Sequence, residues 1–260
     1  MRMTLLQTDI VWADPDANIR QAEALLRQHA GSDVYVLPEM WATGFATEPE
    51  GIAQSESACA ALRWMQKIAR EYDCAVAGSL AVQTADGHYR NRHYFCCPEY
   101  TTWYDKHHLF TYGHEDRFYT AGDKRVVVTW RGCRFRLATC YDLRFPLWTR
   151  YTEEQPFDVI ICVANWPQSR QTAWEVLTRA RAVENQSYLV AVNRTGDDSY
   201  SHYVGESRVV DARGTILGQC DADTVQALTV VLDLEALLSA RRRFRVLDDS
   251  DPFILPARRQ

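Results

Sequence analysis

The chain has 260 residues, 47% of them hydrophobic and 24% charged, which is enough for a sizeable core and excludes large-scale disorder. A formal net charge of −5 gives no electrostatic reason to expect nucleic acid or an anionic membrane as partner. No window approaches the ~18 uninterrupted apolar residues of a membrane span.

The first run, residues 3–10, is strand-like from the start. It lacks the basic segment, apolar core and small-residue cleavage site of a signal peptide, so the expectation is an unexported, cytoplasmic protein. A helical pattern follows at 15–29, then a short apolar strand at 34–37 that runs into Pro38-Glu39. A second helical pattern covers 57–72. Strand patterns follow at 75–80, 92–96 and 101–105, with a turn at Pro98-Glu99-Tyr100 folding the last two into a hairpin that ends at Lys106.

Strands at 126–128 and 135–139 come next, the second closing on Cys140, and a helix is expected at 146–154. A buried strand at 159–164, a helix at 171–184, strands at 188–192, 205–210 and 227–232 and a helix at 234–242 complete the chain. The alternation is that of an α/β protein, and the hairpin makes mixed sheets a better description than a purely parallel one. No linker, repeat or charge block divides the chain, so one domain is expected over 1–260. The run Arg241-Arg242-Arg243 fits the charged face of a terminal helix.

Eight cysteines lie scattered at 59, 74, 96, 97, 133, 140, 162 and 220, without a Cys-x-x-Cys pair, as expected of reduced thiols in a cytosolic protein. His107, His108 and His114 show no zinc-ligand spacing, so no metal is expected. Neither a phosphate-cradling glycine loop nor a Gly-x-Ser-x-Gly elbow is present, which argues against a nucleotide cofactor and against serine chemistry.

Three short apolar strands thus each end on one reactive side chain: Glu39, Lys106 and Cys140. A thiol of ordinary pKa is only slightly ionised at neutral pH and needs a base or a nearby cation. A carboxylate can take its proton and return it to a leaving amine, while an ammonium holds an oxyanion. Together the three types compose an acyl-transfer site.

Pro38-Glu39-Met40, Lys106-His107-His108-Leu109-Phe110 and Thr139-Cys140-Tyr141-Asp142-Leu143-Arg144-Phe145-Pro146 resemble the three catalytic motifs of the nitrilase (carbon–nitrogen hydrolase) superfamily. The resemblance runs to about Leu255. It implies a four-layer αββα sandwich with two mixed sheets and a homodimer, in which the apolar stretch Asp251-Pro252-Phe253-Ile254-Leu255-Pro256 would lie against the partner. It also implies Glu39 as general base and acid, Cys140 as nucleophile, and Lys106 with the Tyr141 N–H as oxyanion donors. Glu115 aligns with a second glutamate near the lysine.

Ala164-Asn165-Trp166-Pro167 and Arg179-Ala180-Arg181-Ala182-Val183-Glu184-Asn185-Gln186 carry the likeness further, to the ω-amidase branch. This implies 2-oxoglutaramate and 2-oxosuccinamate as substrates. The far carboxylate of such a substrate calls for a cation, for which Arg144 is the nearest candidate. Trp41, Phe110, Tyr141 and Trp166 are expected pocket walls. Two other readings stay open: an amidase for another small amide, such as an N-carbamoyl amine or deaminated glutathione, and a catalytically silent binding protein.

Overall fold

The structure is a computed structural model that describes residues 1–255. Residues 256–260, including Pro256 of the apolar terminal stretch, lie outside the described part. In chain order the strands are β1 (Arg2–Gln7), β2 (Val34–Val36), β3 (Gln54–Ser55), β4 (Ala75–Gln83), β5 (Tyr89–Cys96), β6 (Thr101–Asp105), β7 (Val127–Trp130) and β8 (Cys133–Thr139). Then come β9 (Val159–Ala164), β10 (Tyr188–Asn193), β11 (Thr195–Asp197), β12 (His202–Val204), β13 (Arg208–Val210), β14 (Ile216–Gln219) and β15 (Gln226–Val231). The helices are α1 (Pro15–Gln28), α2 (Ala60–Glu71), α3 (Pro146–Thr149), α4 (Gln171–Glu184) and α5 (Leu234–Arg243).

Two mixed sheets result. The first has the order β15-β1-β2-β4-β5-β6 with β3 beside β4, and the second β14-β13-β10-β9-β8-β7. β1, β2 and β4 are parallel, as are β8, β9 and β10, whereas β5, β6, β7, β13 and β15 join antiparallel.

The period-2 side-chain alternation explains the layers. From the first sheet, Met3, Leu5, Val34, Val36, Ala75, Ala77 and Phe95 share one core with Phe135, Leu137, Val159, Ile161, Val190 and Val192 of the second. The intervening residues Leu6, Tyr35, Val76 and Tyr94 face outward onto α1 and α2, while Ile160, Cys162, Leu189 and Ala191 face α4. The order helix, sheet, sheet, helix is the αββα sandwich that the resemblance implied.

Local chemistry sets the helix ends. Asp14 accepts from the Ala17 N–H, with Pro15 following, and Asp233 does the same for Ala236. α1 buries Asn18, Ala22 and Leu26, and α2 buries Ala61, Leu62, Trp64, Met65 and Ile68, each a stripe at helical spacing.

Two expectations need correction. The helix expected at 146–154 stops at Thr149, because Arg150 is extended and the chain beyond it bonds to α4 instead. The Arg150 guanidinium donates to Glu184 O and the Tyr151 N–H to Asn185 Oδ1. The strand expected at 205–210 is broken at its start, since Gly205 and Glu206 have φ of 77° and 52°. A Cβ on Gly205 would come within 2.3 Å of the Gln7 side chain, so this bend needs glycine. Among the described residues no helix is long and apolar enough to cross a membrane.

Candidate active site

Glu39, Lys106 and Cys140 meet where strand ends from the two sheets come together. Glu39 lies three residues beyond β2, Lys106 directly follows β6, and Cys140 directly follows β8. Asn165, directly after β9, completes the set. Glu39, Lys106 and Glu115 are fully buried, while Cys140 is half-buried and opens onto a cleft.

Behind the thiol lies a closed polar cluster. The Lys106 ammonium donates to Glu39 Oε1 and to Glu115 Oε2, both at 2.8 Å. The side-chain amide of Asn91 on β5 donates to Glu39 Oε1 at 2.8 Å and to Glu115 Oε1 at 2.9 Å. Glu39 Oε2 accepts from the Asn165 N–H, Glu39 O from Asn165 Nδ2, and Glu115 Oε2 from the Phe110 N–H. One cation thus serves two carboxyl groups.

The proton affinities follow from that arrangement. Burial alone would strip the proton from Lys106, but Glu115 and Glu39 outweigh it and hold the ammonium charged well above the usual lysine range. Burial, aided by Glu39 and opposed by Lys106, raises the Glu115 carboxyl. Burial and then the Glu39 carboxylate push the Cys140 thiol well above its ordinary value, with Lys106 working against them. A sulfur in this setting rests as a thiol, so it needs a proton acceptor in order to attack.

The turn that presents the sulfur is held from within. Cys140 has φ of 44°, in the left-handed region, and starts a 3₁₀ turn over Cys140–Arg144. The buried carboxylate of Asp142 accepts from the Thr139 N–H, the Tyr104 hydroxyl and the His108 N–H, and also meets the His108 ring. It therefore ties the Cys140 turn to the segment that carries Lys106. Burial of Asp142 is outweighed by His108 and Tyr104, so its carboxyl sits below the usual range.

The cleft has a volume of about 400 Å³, and Phe110, Tyr141, Arg144 and Trp166 line it beside Cys140 and Asn165. The Arg144 guanidinium lies 4.8 Å from the centre of the Trp166 ring. The guanidinium makes no ion pair or hydrogen bond with another described residue.

Trp41, an expected wall, is elsewhere: it is buried in the core under α2, 5.3 Å from Trp64. Met40 at φ of 41° turns the chain after Glu39, sending Trp41 to the outer face of the first sheet against Gly78. Glu115 is not at the surface, and Asp105 pairs with Arg92, leaving Lys106 to the cluster. The adjacent His107 and His108 pack against each other. Their rings meet edge to face at 4.6 Å, His107 stacked on Trp148 and His108 on Phe145.

Sequence reasoning missed three participants. Asn165 carries the signal that marked the others, a polar residue ending an apolar strand. Asn91 sits inside β5 in the polar run Arg90-Asn91-Arg92-His93, where nothing distinguishes it. Arg170 reaches the cleft from the segment before α4.

The family model for carbon–nitrogen hydrolases matches residues 2–242. The chain is 41% identical over 257 residues to the Omega-amidase YafV of Yersinia enterocolitica, covering 98% of each protein. It is 31% identical to the 2-oxoglutaramate amidase of Bacillus subtilis, covering 95% of this chain and 96% of that one. Among solved structures, the CN-hydrolase superfamily protein XC1258 of Xanthomonas campestris superposes with a TM-score of 0.94 at 37% identity, covering 98% of this chain and 99% of the other. The chain therefore belongs to the carbon–nitrogen hydrolase family and is an amidohydrolase.

Proposed function

We propose that this protein hydrolyses the terminal amide of 2-oxo dicarboxylic acid monoamides, 2-oxoglutaramate and 2-oxosuccinamate, through a thioester on Cys140. The observation that carries the reading is Arg144: a guanidinium held on Trp166, without a carboxylate partner among the described residues, in the same cleft as the cysteine. Such a cation suits a substrate with a carboxylate at the end remote from its amide. The ω-amidase and 2-oxoglutaramate amidase relatives support the same substrate class.

Glu39 takes the Cys140 proton as sulfur bonds to the amide carbon. The Lys106 ammonium and the Tyr141 N–H hold the oxyanion, and Glu39 returns the proton to nitrogen as the C–N bond breaks and ammonia leaves. Water then gives a proton to Glu39 and adds to the thioester; the C–S bond breaks, sulfur recovers the proton, and the 2-oxo acid departs. Glu115 and Asn91 fix Lys106 and Glu39, while Phe110, Tyr141 and Trp166 wall the substrate. No cofactor enters these steps.

We further assign the protein to the cytoplasm, as a homodimer with one catalytic domain over the chain. Eight cysteines without a disulfide suit that compartment.

The test is ammonia release from both substrates by wild type and Cys140→Ala, with intact-protein mass spectrometry to trap the acyl-enzyme. Turnover that vanishes in the variant, with an adduct on the wild type alone, is the expected result. A wild type inactive on both substrates would sink the reading.

A further inference from the structure

We propose that Arg170 is a second substrate-recognising residue, which with Arg144 makes the cleft selective for amides whose far end is an anion. The inference rests on the amidase reading above and adds a determinant to it.

Arg170 ends the short 3₁₀ segment Gln168–Arg170 after Pro167, and its side chain lines the cleft that holds Cys140. Its guanidinium lies 5.2 Å from the ring centre of Phe110 and 5.1 Å from that of Tyr112. Trp166, which carries Arg144 on its face, donates its indole N–H to the Arg170 carbonyl at 2.8 Å. Two cations are therefore mounted on one aromatic framework around the thiol.

Several arginines elsewhere in the molecule have carboxylate partners. Arg92 pairs with Asp105 and Glu56, Arg134 with Asp158, Arg181 with Glu184 and Arg194 with Asp9. The guanidinium groups of Arg144 and Arg170 make no hydrogen bond or ion pair with another described residue, only the ring contacts given above. The nearby carboxylate of Asp198 is already used, accepting from the Tyr203 hydroxyl and from the Tyr200 and Ser201 N–H groups. The other acid of the cleft, Glu48, is on an exposed stretch.

A guanidinium stacked on a ring keeps its N–H fork free at the edge, where it matches a carboxylate. A carboxylate has two oxygens and about four acceptor positions, enough for two such forks. The ligand class is thus an ω-amide of a dicarboxylic acid, its free carboxylate held between Arg144 and Arg170 while its amide reaches Cys140.

The experiment compares kcat and KM for 2-oxoglutaramate, for glutaramate, which lacks the 2-oxo group, and for neutral butyramide, in wild type, Arg170→Gln and Arg170→Lys, with folding checked by circular dichroism. The expected result for Arg170→Gln is a preference for anionic over neutral amides that falls about 10- to 100-fold. The loss should lie mainly in KM, with partial recovery in Arg170→Lys, which keeps the charge but not the fork.

An unchanged preference overturns the proposal. Turnover of glutaramate without turnover of 2-oxoglutaramate removes the 2-oxo acid reading, while the anionic-to-neutral ratio still judges Arg170. Should no amide be hydrolysed, calorimetric binding of glutarate decides: weaker binding to Arg170→Gln supports the proposal, and equal binding overturns it.

Discussion

Oε2 of Glu115 lies 2.8 Å from Nζ of Lys106, and neither side chain has any exposed surface. The ammonium is held charged against burial by Glu115 and Glu39 together. Glu115→Gln removes half of that support and leaves Glu39 to neutralise the lysine. The expected outcome is a kcat about 100-fold lower with a smaller change in KM, the size of loss seen when acid–base machinery is disturbed. Steady-state kinetics at fixed pH checks it, and a kcat within about threefold of wild type would mean that Glu115 is dispensable.

Asn91 is the second prop of this cluster, giving one N–H to each carboxylate. In Asn91→Asp the new acid must stay protonated to donate at all, and then satisfies only one carboxylate. Burial beside Glu39 and Glu115 raises its pKa. Activity of the variant should therefore be highest at acid pH and fall as the third carboxyl ionises, whereas Asn91→Ala is depressed at every pH. A kcat–pH profile distinguishes the two; parallel profiles would rule out this role.

His93 connects the sheets, its Nδ1 3.2 Å from Ala138 O, and burial holds its imidazole down to about 4 from 6.5. Between those values the unfolded chain binds a proton that the folded one refuses, so stability falls as pH drops through the window. The shift corresponds to about 3 kcal/mol lost by pH 4 relative to neutrality. Urea midpoints from pH 7 to 4 should show a steeper decline for wild type than for His93→Asn. Equal slopes would exclude the histidine as the cause.

Trp41 gives a contrast between stability and activity. It fills the core against Trp64 and Gly78, away from the cleft. Trp41→Ala should cost about 3–5 kcal/mol, as large core truncations do. KM for the amide substrate should stay near wild type in the folded fraction. A raised KM without destabilisation would return Trp41 to the pocket wall.

The strands that position the site were readable because each is a short strand-like run that stops at a reactive side chain, as at Glu39, Lys106 and Cys140. The same pattern at Asn165 was passed over, since an amide offers no chemistry by itself. Asn91 was hidden for a different reason: it lies in a polar run that the fold buries, and only the fold brings its amide between two carboxylates. The misplacement of Trp41 came from one backbone angle, at Met40, which reverses the face a side chain meets and leaves no mark in composition. Strand β3 and the ribbon β11–β12 are too short for periodicity to register. The face-to-face stacking of two sheets came from the resemblance alone.

Cys140 keeps a β-carbon at φ of 44°, a conformation that costs an L-residue roughly 1–2 kcal/mol and glycine almost nothing. The residue on which turnover depends is thus one that local folding preference would discard. Backbone preference and turnover pull in opposite directions at this position: the angle favours glycine, and the chemistry requires sulfur.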